Sequence, residues 1–233
     1  MTAIAISRIC EPAITSFRPD GSLVDLAAPD ELEIDFNEVA YGLAKLNRFT
    51  GTYPGIGFSV AQHSAMGAQA LLNEGESEIT AALFLLHDGH EYKLGDQSRP
   101  MTELVAATLE KQQPGLGRIY LQTLSSIKKS WDVAIFSAAG LPDPSRWTNR
   151  QRHAVETMDM RMMAAEAEAL FGRTARARYP LKAYPKPMTH GKIAALGAMK
   201  AEELFLKLFD RLIGHERRFA LAIRHDIYRT ANT

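Results

Sequence analysis

The sequence predicts a mainly α-helical fold carrying a small β-hairpin near its N-terminus. Three observations lead there. Apolar residues recur at spacings of three and four through most of the chain beyond Asp35, the repeat of helices with one buried face. Outside residues 13–26, almost nothing reads as a strand. The composition is that of an ordinary globular protein: of 233 residues, 46% are hydrophobic and 23% charged, which excludes a disordered or collagen-like chain. Such a length allows one large domain or two small ones and is enough to bury a core without disulfides.

The charge and cysteine content narrow the partners. With 27 basic and 27 acidic side chains the formal net charge is zero, so whole-surface attraction to nucleic acid or an anionic membrane is not expected. Cys10 is the sole cysteine; it cannot pair within the chain, which fits a reducing compartment. Residues 1–8 lack the apolar run of a signal peptide. The longest apolar run, residues 81–86, is far too short to span a bilayer. A cytoplasmic protein without a membrane partner is the expectation.

The elements follow in order. Residues 14–17 and 22–26 flank Arg18-Pro19-Asp20-Gly21, where proline presets the turn and glycine takes the positive φ. Phe36, Val39, Ala40, Leu43 and Leu46 then mark a helix behind Asp35 as N-cap. Three glycines and a proline make residues 47–58 a loop. Ser59 with Gln62 three places on reads as a capping box, opening a helix to about Asn73. Further helices are expected over residues 77–87, 102–112, 116–139 and 148–171, the last free of Gly and Pro. Residues 172–191 hold three prolines and read as an irregular connection. Helix returns over 194–212 and extends over 216–228.

The chemistry concentrates in the first half. Three of the seven histidines, His63, His87 and His90, lie close together. His63 shares a helix face with Val60, Gly67, Ala70 and Leu71, which points it inward. His87 falls four after Leu83, on the core side set by Ile79, Leu83 and Leu86. Asp88 follows, beside a Gly89 able to loosen or end the helix, and Glu91 lies one turn after His87. Asp159 sits inside an apolar stripe between Val155 and Met162. A lone buried carboxylate costs on the order of several kcal/mol even after relaxation. One divalent metal held by His63, His87, Asp88 and Asp159 resolves all these anomalies together. Two imidazoles and two carboxylates suit Mn, Co, Ni, Fe or Zn better than Ca. Plainer readings stand beside this one. His63 can be a hydrogen-bonded core histidine, His87-Asp88 a helix C-terminal motif, and Asp159 a partner of Arg152 or Arg161. The dipeptide recurs at His225-Asp226 in a polar, basic stretch, where it reads as solvent-facing. His90 either faces the pocket as a proton shuttle or faces solvent.

The ordered set His63, His87-Asp88, Asp159 resembles the HD-domain metal-dependent phosphohydrolases. Leu46-Asn47-Arg48-Phe49, Ser59-Val60-Ala61-Gln62-His63-Ser64, His87-Asp88-Gly89-His90-Glu91 with Leu94-Gly95-Asp96 and Arg99-Pro100, and Glu156-Thr157-Met158-Asp159-Met160-Arg161 are similar to the bacterial and phage YfbR-like 5'-deoxynucleotidase branch. The likeness covers residues 14–171. It implies an HD-domain helical bundle, with an N-terminal segment over 1–34, a catalytic core over 35–172 and C-terminal helices over 173–233. It further implies that Arg48 contacts the substrate phosphate, that Glu91 serves as general acid or base, and that Asp96 positions water or the sugar. Among the candidate ligands it favours Asp159 over Glu156 or Glu166. Phe49 stands where the branch carries tryptophan beside the sugar; it keeps an aromatic wall of another shape.

The implied activity is metal-dependent hydrolysis of the 5'-phosphate of deoxynucleoside monophosphates. A deoxynucleoside triphosphate triphosphohydrolase is the enzymatic alternative, and a metal- or nucleotide-binding protein without catalysis the non-enzymatic one. The loop of residues 51–57 lacks the ending of a P-loop and reads as a pocket lip. Between 173 and 200, Arg173, Arg176, Arg178, Lys182, Lys186, Lys192 and Lys200 stand with Tyr179 and Tyr184 and no acidic residue. This reads as a solvated connection balanced by the acidic residues 30–38, with nucleic-acid binding as the other reading. The family likeness implies a homodimer. Phe205, Leu206, Leu208, Phe209 and Leu212 offer an apolar face for it, or else complete the core.

Overall fold

Proline, aspartate and glycine make the first turn as expected. In the structure, a computed structural model that describes residues 8–178 and 185–221, β1 (Thr15–Phe17) and β2 (Leu23–Asp25) pair antiparallel with Ser16 opposite Val24. The Arg18 N–H donates to Ser22 O and the Gly21 N–H to Arg18 O, with Gly21 at φ 84°. This three-residue loop ends on a left-handed residue, a position glycine fills without strain.

Helix α1 (Phe36–Lys45) starts where Asp35 accepts the Asn37 N–H at 2.8 Å. Arg18 ties the hairpin to this region through Glu33 and Glu38, and Glu38 also pairs with Lys93. The acidic residues 30–38 therefore find partners in Arg18, Lys93 and Ser137.

Helix α2 (Val60–Asn73) opens on Ser59, whose hydroxyl accepts the Gln62 N–H. The expected capping box is only half made. The Gln62 side chain turns outward instead, donating to Ala194 O at 2.7 Å and accepting from the Leu196 N–H at 2.9 Å. Helix α3 (Glu78–Leu85) is buried on all sides from Thr80 onward, while Ile79 is exposed. The expected core face through Ile79 is wrong, since α3 is enclosed by α2, α7 and α9 and needs no single apolar stripe. The helix also stops short of His87.

Short α4 (Glu91–Leu94) and the hairpin of α5 (Arg99–Gln112) and α6 (Leu116–Ala138) follow. Helix α7 (Asn149–Phe171) carries a complete capping box between Thr148 and Gln151. Gly172 ends it at φ 85°, and α8 (Arg173–Arg178) follows at once, so the connection expected to be irregular begins as helix. Tyr179, Lys182, Tyr184 and His225-Asp226 lie outside the described residues.

Residues 185–197 form an extended strap that runs antiparallel along α2. Asn73 donates to Met188 O at one end, and Gln62 holds 194–196 at the other. Arg161 of α7 clamps Glu74 with two bonds of 2.6 and 2.7 Å and also donates to Pro185 O and Lys186 O. Partial burial presses the Glu74 carboxyl up, but Arg161 and the Met188 N–H together draw it below its ordinary value. A group with a depressed folded pKa stabilises above its unfolded pKa and loses that contribution as pH falls through the folded value. Glu74→Gln should therefore lower stability by on the order of 1 kcal/mol at pH 7. Melting curves of variant and parent should begin to converge only as the pH falls below the ordinary glutamate value of about 4.3.

Helix α9 (Ala198–Phe209) then packs on α1 and α2, before a π turn over Asp210–Gly214 and α10 (His215–Arg218). Phe205, Leu208 and Phe209 are buried, Phe209 against Phe36 with ring centres 4.5 Å apart. The C-terminal apolar face thus completes the core, where Val24 and Ile34 of the N-terminal segment also sit. Among the described residues, no helix is long and apolar enough to cross a membrane.

Candidate metal centre

Four segments deliver the site. His63 comes from the second turn of α2 and is fully buried. His87 and Asp88 stand not on a helix but on turns over residues 86–90, closed by N–H bonds from His87 to Phe84 O, Gly89 to Leu86 O and Glu91 to Asp88 O. Gly89 makes that winding possible, since a Cβ there would meet Leu86 O at 2.9 Å and Ile135 Cγ2 at 3.3 Å. Asp159 and Glu166 come from one face of α7, two turns apart. Arg48 enters from the loop after α1.

These groups converge. Asp159 Oδ1 lies 3.2 Å from His63 Nε2 and 3.8 Å from His87 Nε2, and Asp88 Oδ2 lies 3.2 Å from His87 Nε2. The Arg48 terminal nitrogens stand 3.6 Å from Asp88 and 3.9 Å from Asp159, while its Nε donates to Glu166 at 3.0 Å. Asp159 takes neither alternative partner: Arg161 is committed to Glu74, and Arg152 donates to Pro144 O. Glu156 is exposed, and Glu166 sits behind His63 Nδ1 at 2.7 Å. Asp159 is thus the carboxylate of α7 that meets both histidines.

The donor set fits a divalent cation. His63 Nδ1 is held by Glu166 and His87 Nδ1 by Phe84 O, while both Nε2 atoms are buried and face the carboxylate oxygens of Asp159 and Asp88 without an aligned hydrogen bond. Ligating imidazoles are held this way, one nitrogen fixed by an oxygen and the other offered. Burial presses both imidazoles toward neutrality, yet the surrounding carboxylates raise them above their ordinary value. Asp88, Asp159 and Glu166 are all drawn down by the neighbouring cationic groups despite burial. Burial, with Asp88 and Asp96 nearby, pushes Glu91 up to about 9, and burial raises Asp96 as well. The site holds an excess of carboxylates over the Arg48 and Lys128 charges that face them.

Phe49 and Thr50 follow Arg48 with φ of 56° and 52°, a left-handed pair that costs non-glycine residues roughly 1–3 kcal/mol each. The Phe49 ring meets the Phe171 ring edge-on at 5.4 Å, and Tyr53 meets Phe171 at 6.0 Å. The expected aromatic wall is therefore a cluster of three rings beside Arg48. Phe171 went unread in the sequence, being the terminal residue of a helix whose visible signal is its length.

Phe84 packs against both candidate ligand histidines, with ring centres 5.6 Å from His63 and 4.4 Å from His87. Gly67 makes room for it: a Cβ at 67 would fall 2.1 Å from Phe84 Cε1. Gly67→Ala gains about 1 kcal/mol of helix propensity but incurs roughly 1–3 kcal/mol of overpacking. The expected result is a lower melting temperature and weaker Mn(II) uptake, measured by calorimetric titration.

Glu166 and Asp132 are the acidic residues the sequence reading underused. Glu166 lies on the Asp159 face of α7, a signal that was present. Asp132 Oδ1 accepts from His90 Nδ1 at 2.8 Å, and nothing in the α6 sequence marks it. His90 is buried and faces the site region, so the solvent-facing alternative is excluded.

No family model matches the chain. It is similar to an uncharacterized protein of Rhodobacter capsulatus, 29% identical over a match of 164 residues, with 66% of this chain and 76% of that relative covered.

Proposed function

We propose that this protein is a metal-dependent phosphohydrolase of the HD-domain kind, acting on the 5'-phosphate of deoxynucleoside monophosphates. The observation that supports the reading is the meeting of His63, His87, Asp88 and Asp159 beside a buried Arg48, with both histidine Nε2 atoms turned toward the two aspartates. Those four residues would hold one divalent ion of the Mn, Co, Ni, Fe or Zn class. Bound there, it supplies Lewis acidity toward a phosphoryl oxygen and toward water.

The chain's own groups do the rest. Arg48 is kept charged by Glu166, Asp159 and Asp88 against its burial, and Glu166 fixes its Nε. Its two terminal nitrogens hold only long contacts to Asp88 and Asp159, so they are free to take two phosphate oxygens at once. Glu91 is buried with Oε2 unpartnered and stands where it can hold the proton that a departing 5'-oxygen requires. Phe49, Tyr53 and Phe171 supply an apolar wall for the nucleoside. Asp96, half-buried after Gly95, lies in the same charge cluster and serves to orient water or the sugar hydroxyl.

The test is product analysis with metal-reconstituted protein on deoxy- and ribonucleoside mono- and triphosphates, using Asp88→Ala as control. Orthophosphate from deoxynucleoside monophosphates, lost in the variant, is the expected result. Release of inorganic triphosphate from a deoxynucleoside triphosphate would overturn the monophosphatase reading. Metal uptake without turnover of any of these substrates would overturn the enzyme reading.

A further inference from the structure

We propose that the cavity between the end of α7 and the strap binds a small phosphomonoester, held by Arg173 and Lys192. The cavity measures about 450 Å³, within the roughly 300–1,000 Å³ that small-molecule sites occupy. On the α7 side it is lined by Ala165, Glu168, Ala169 and Gly172, with Arg173 just beyond. The strap contributes Lys186, Pro187, Thr189 and residues 191–193. These α7 residues lie on a different face of the helix from Asp159 and Glu166. The occupant is therefore a second ligand, separate from the substrate of the proposed metal centre.

Charge is the first argument. From Arg173 to Lys200 the sequence holds no acidic residue, and three of its cations, Arg173, Lys186 and Lys192, line this cavity beside one carboxylate, Glu168. Lys186 pairs with Glu168 at 3.2 Å, and Lys200, outside the cavity, turns to Glu203. Among the described residues, Arg173 and Lys192 meet no carboxylate. Like charges gathered on one concave surface repel each other, and an anion between them removes that cost. The strap is held in place to present them. Asn73 binds Met188 O on one side of Lys192 and Gln62 binds residues 194–196 on the other, while Arg161 donates to Pro185 O and Lys186 O. Such fixing lowers the ordering cost of capturing a ligand. The rest of the lining selects a body for the anion. Ala165, Ala169, Pro187 and Ile193 offer apolar surface, which inorganic phosphate cannot use. A phosphomonoester, doubly ionised above about pH 6, answers both parts with its head and its body.

The test is nuclear magnetic resonance of the isotope-labelled chain titrated with phenylphosphonate, a dianion whose phosphorus–carbon bond phosphate-ester hydrolysis cannot break. Amides of Gly172, Arg173, Gly191 and Lys192 should move together and saturate. The dissociation constant should be at least about 10-fold below that of inorganic phosphate, which lacks the apolar body. Benzenesulfonate, with the body but one charge, should also bind more weakly. Arg173 and Lys192 are exposed, so Arg173→Gln and Lys192→Gln should melt like the parent while weakening binding by about 5–10-fold each. Equal affinity for phosphate and phenylphosphonate, or binding that both variants leave unchanged, would reduce the cavity to an adventitious anion contact and overturn the proposal. So would an absence of shifts. Shifts confined to residues around Arg48 and His63 also overturn it, while leaving the proposed centre standing. Failure of the phosphohydrolase reading would not move any of these signals.

Discussion

Asp88→Asn should reduce phosphate release by at least about 10³-fold, with loss of metal-dependent stabilisation. Asp88 touches His87 Nε2 on one side and faces the Arg48 guanidinium on the other, so its loss disturbs both the cation and the phosphate contact. Removing a single group that stabilises developing charge typically costs about 10²–10³ in rate, and Asp88 is proposed to serve two. Binding supplies a readout independent of turnover. An ion at a hundred times its dissociation constant stabilises by about 2.7 kcal/mol, which for a chain of this size raises the melting temperature by about 5–10 °C. The parent should show that shift with Mn(II), and Asp88→Asn should not. Equal shifts in both proteins would remove Asp88 from the ligand set.

Glu166→Ala is the larger threat to folding. Glu166 is wholly inaccessible and answers two groups, Arg48 Nε at 3.0 Å and His63 Nδ1 at 2.7 Å. Truncation strands the buried guanidinium, a change that typically costs about 3–5 kcal/mol. The melting temperature should drop by about 10 °C or more, with metal absent as well as present. Glu166→Gln preserves the shape and one hydrogen-bonding oxygen. It should fold, hold His63 less firmly, and bind metal about 10–100-fold more weakly. If Glu166→Gln bound metal as tightly as the parent, the carboxylate would be a structural partner of Arg48 alone.

Local chemistry was enough to read much of the fold. Asp35 and Ser59 cap helices, the Pro19-Asp20-Gly21 turn closes the hairpin, and the Gly- and Pro-free stretch is one unbroken helix. The ligand candidates were legible because polar residues in apolar stripes are conspicuous. What escaped depended on distant chain. The unbroken apolar run 81–86 hides the end of α3 at Leu85, so His87 was expected on the helix and stands, with Asp88, on turns. The direction of His90 depends on Asp132 from α6. The half-made capping box at Ser59 depends on a strap more than a hundred residues downstream, which Gln62 reaches for instead of its own helix end.

That strap has a thermodynamic consequence for the site. Gln62 and His63 are neighbours on α2, one bonded to Ala194 and Leu196, the other proposed as a metal ligand. Whatever steadies the first turns of α2 must also steady residues 194–196, and the reverse holds with equal free energy. Amide hydrogen exchange at Leu196, whose N–H ends on Gln62, should therefore slow when metal is added and quicken when it is stripped. A half-buried backbone proton of the strap would then be a gauge of occupancy at the proposed site.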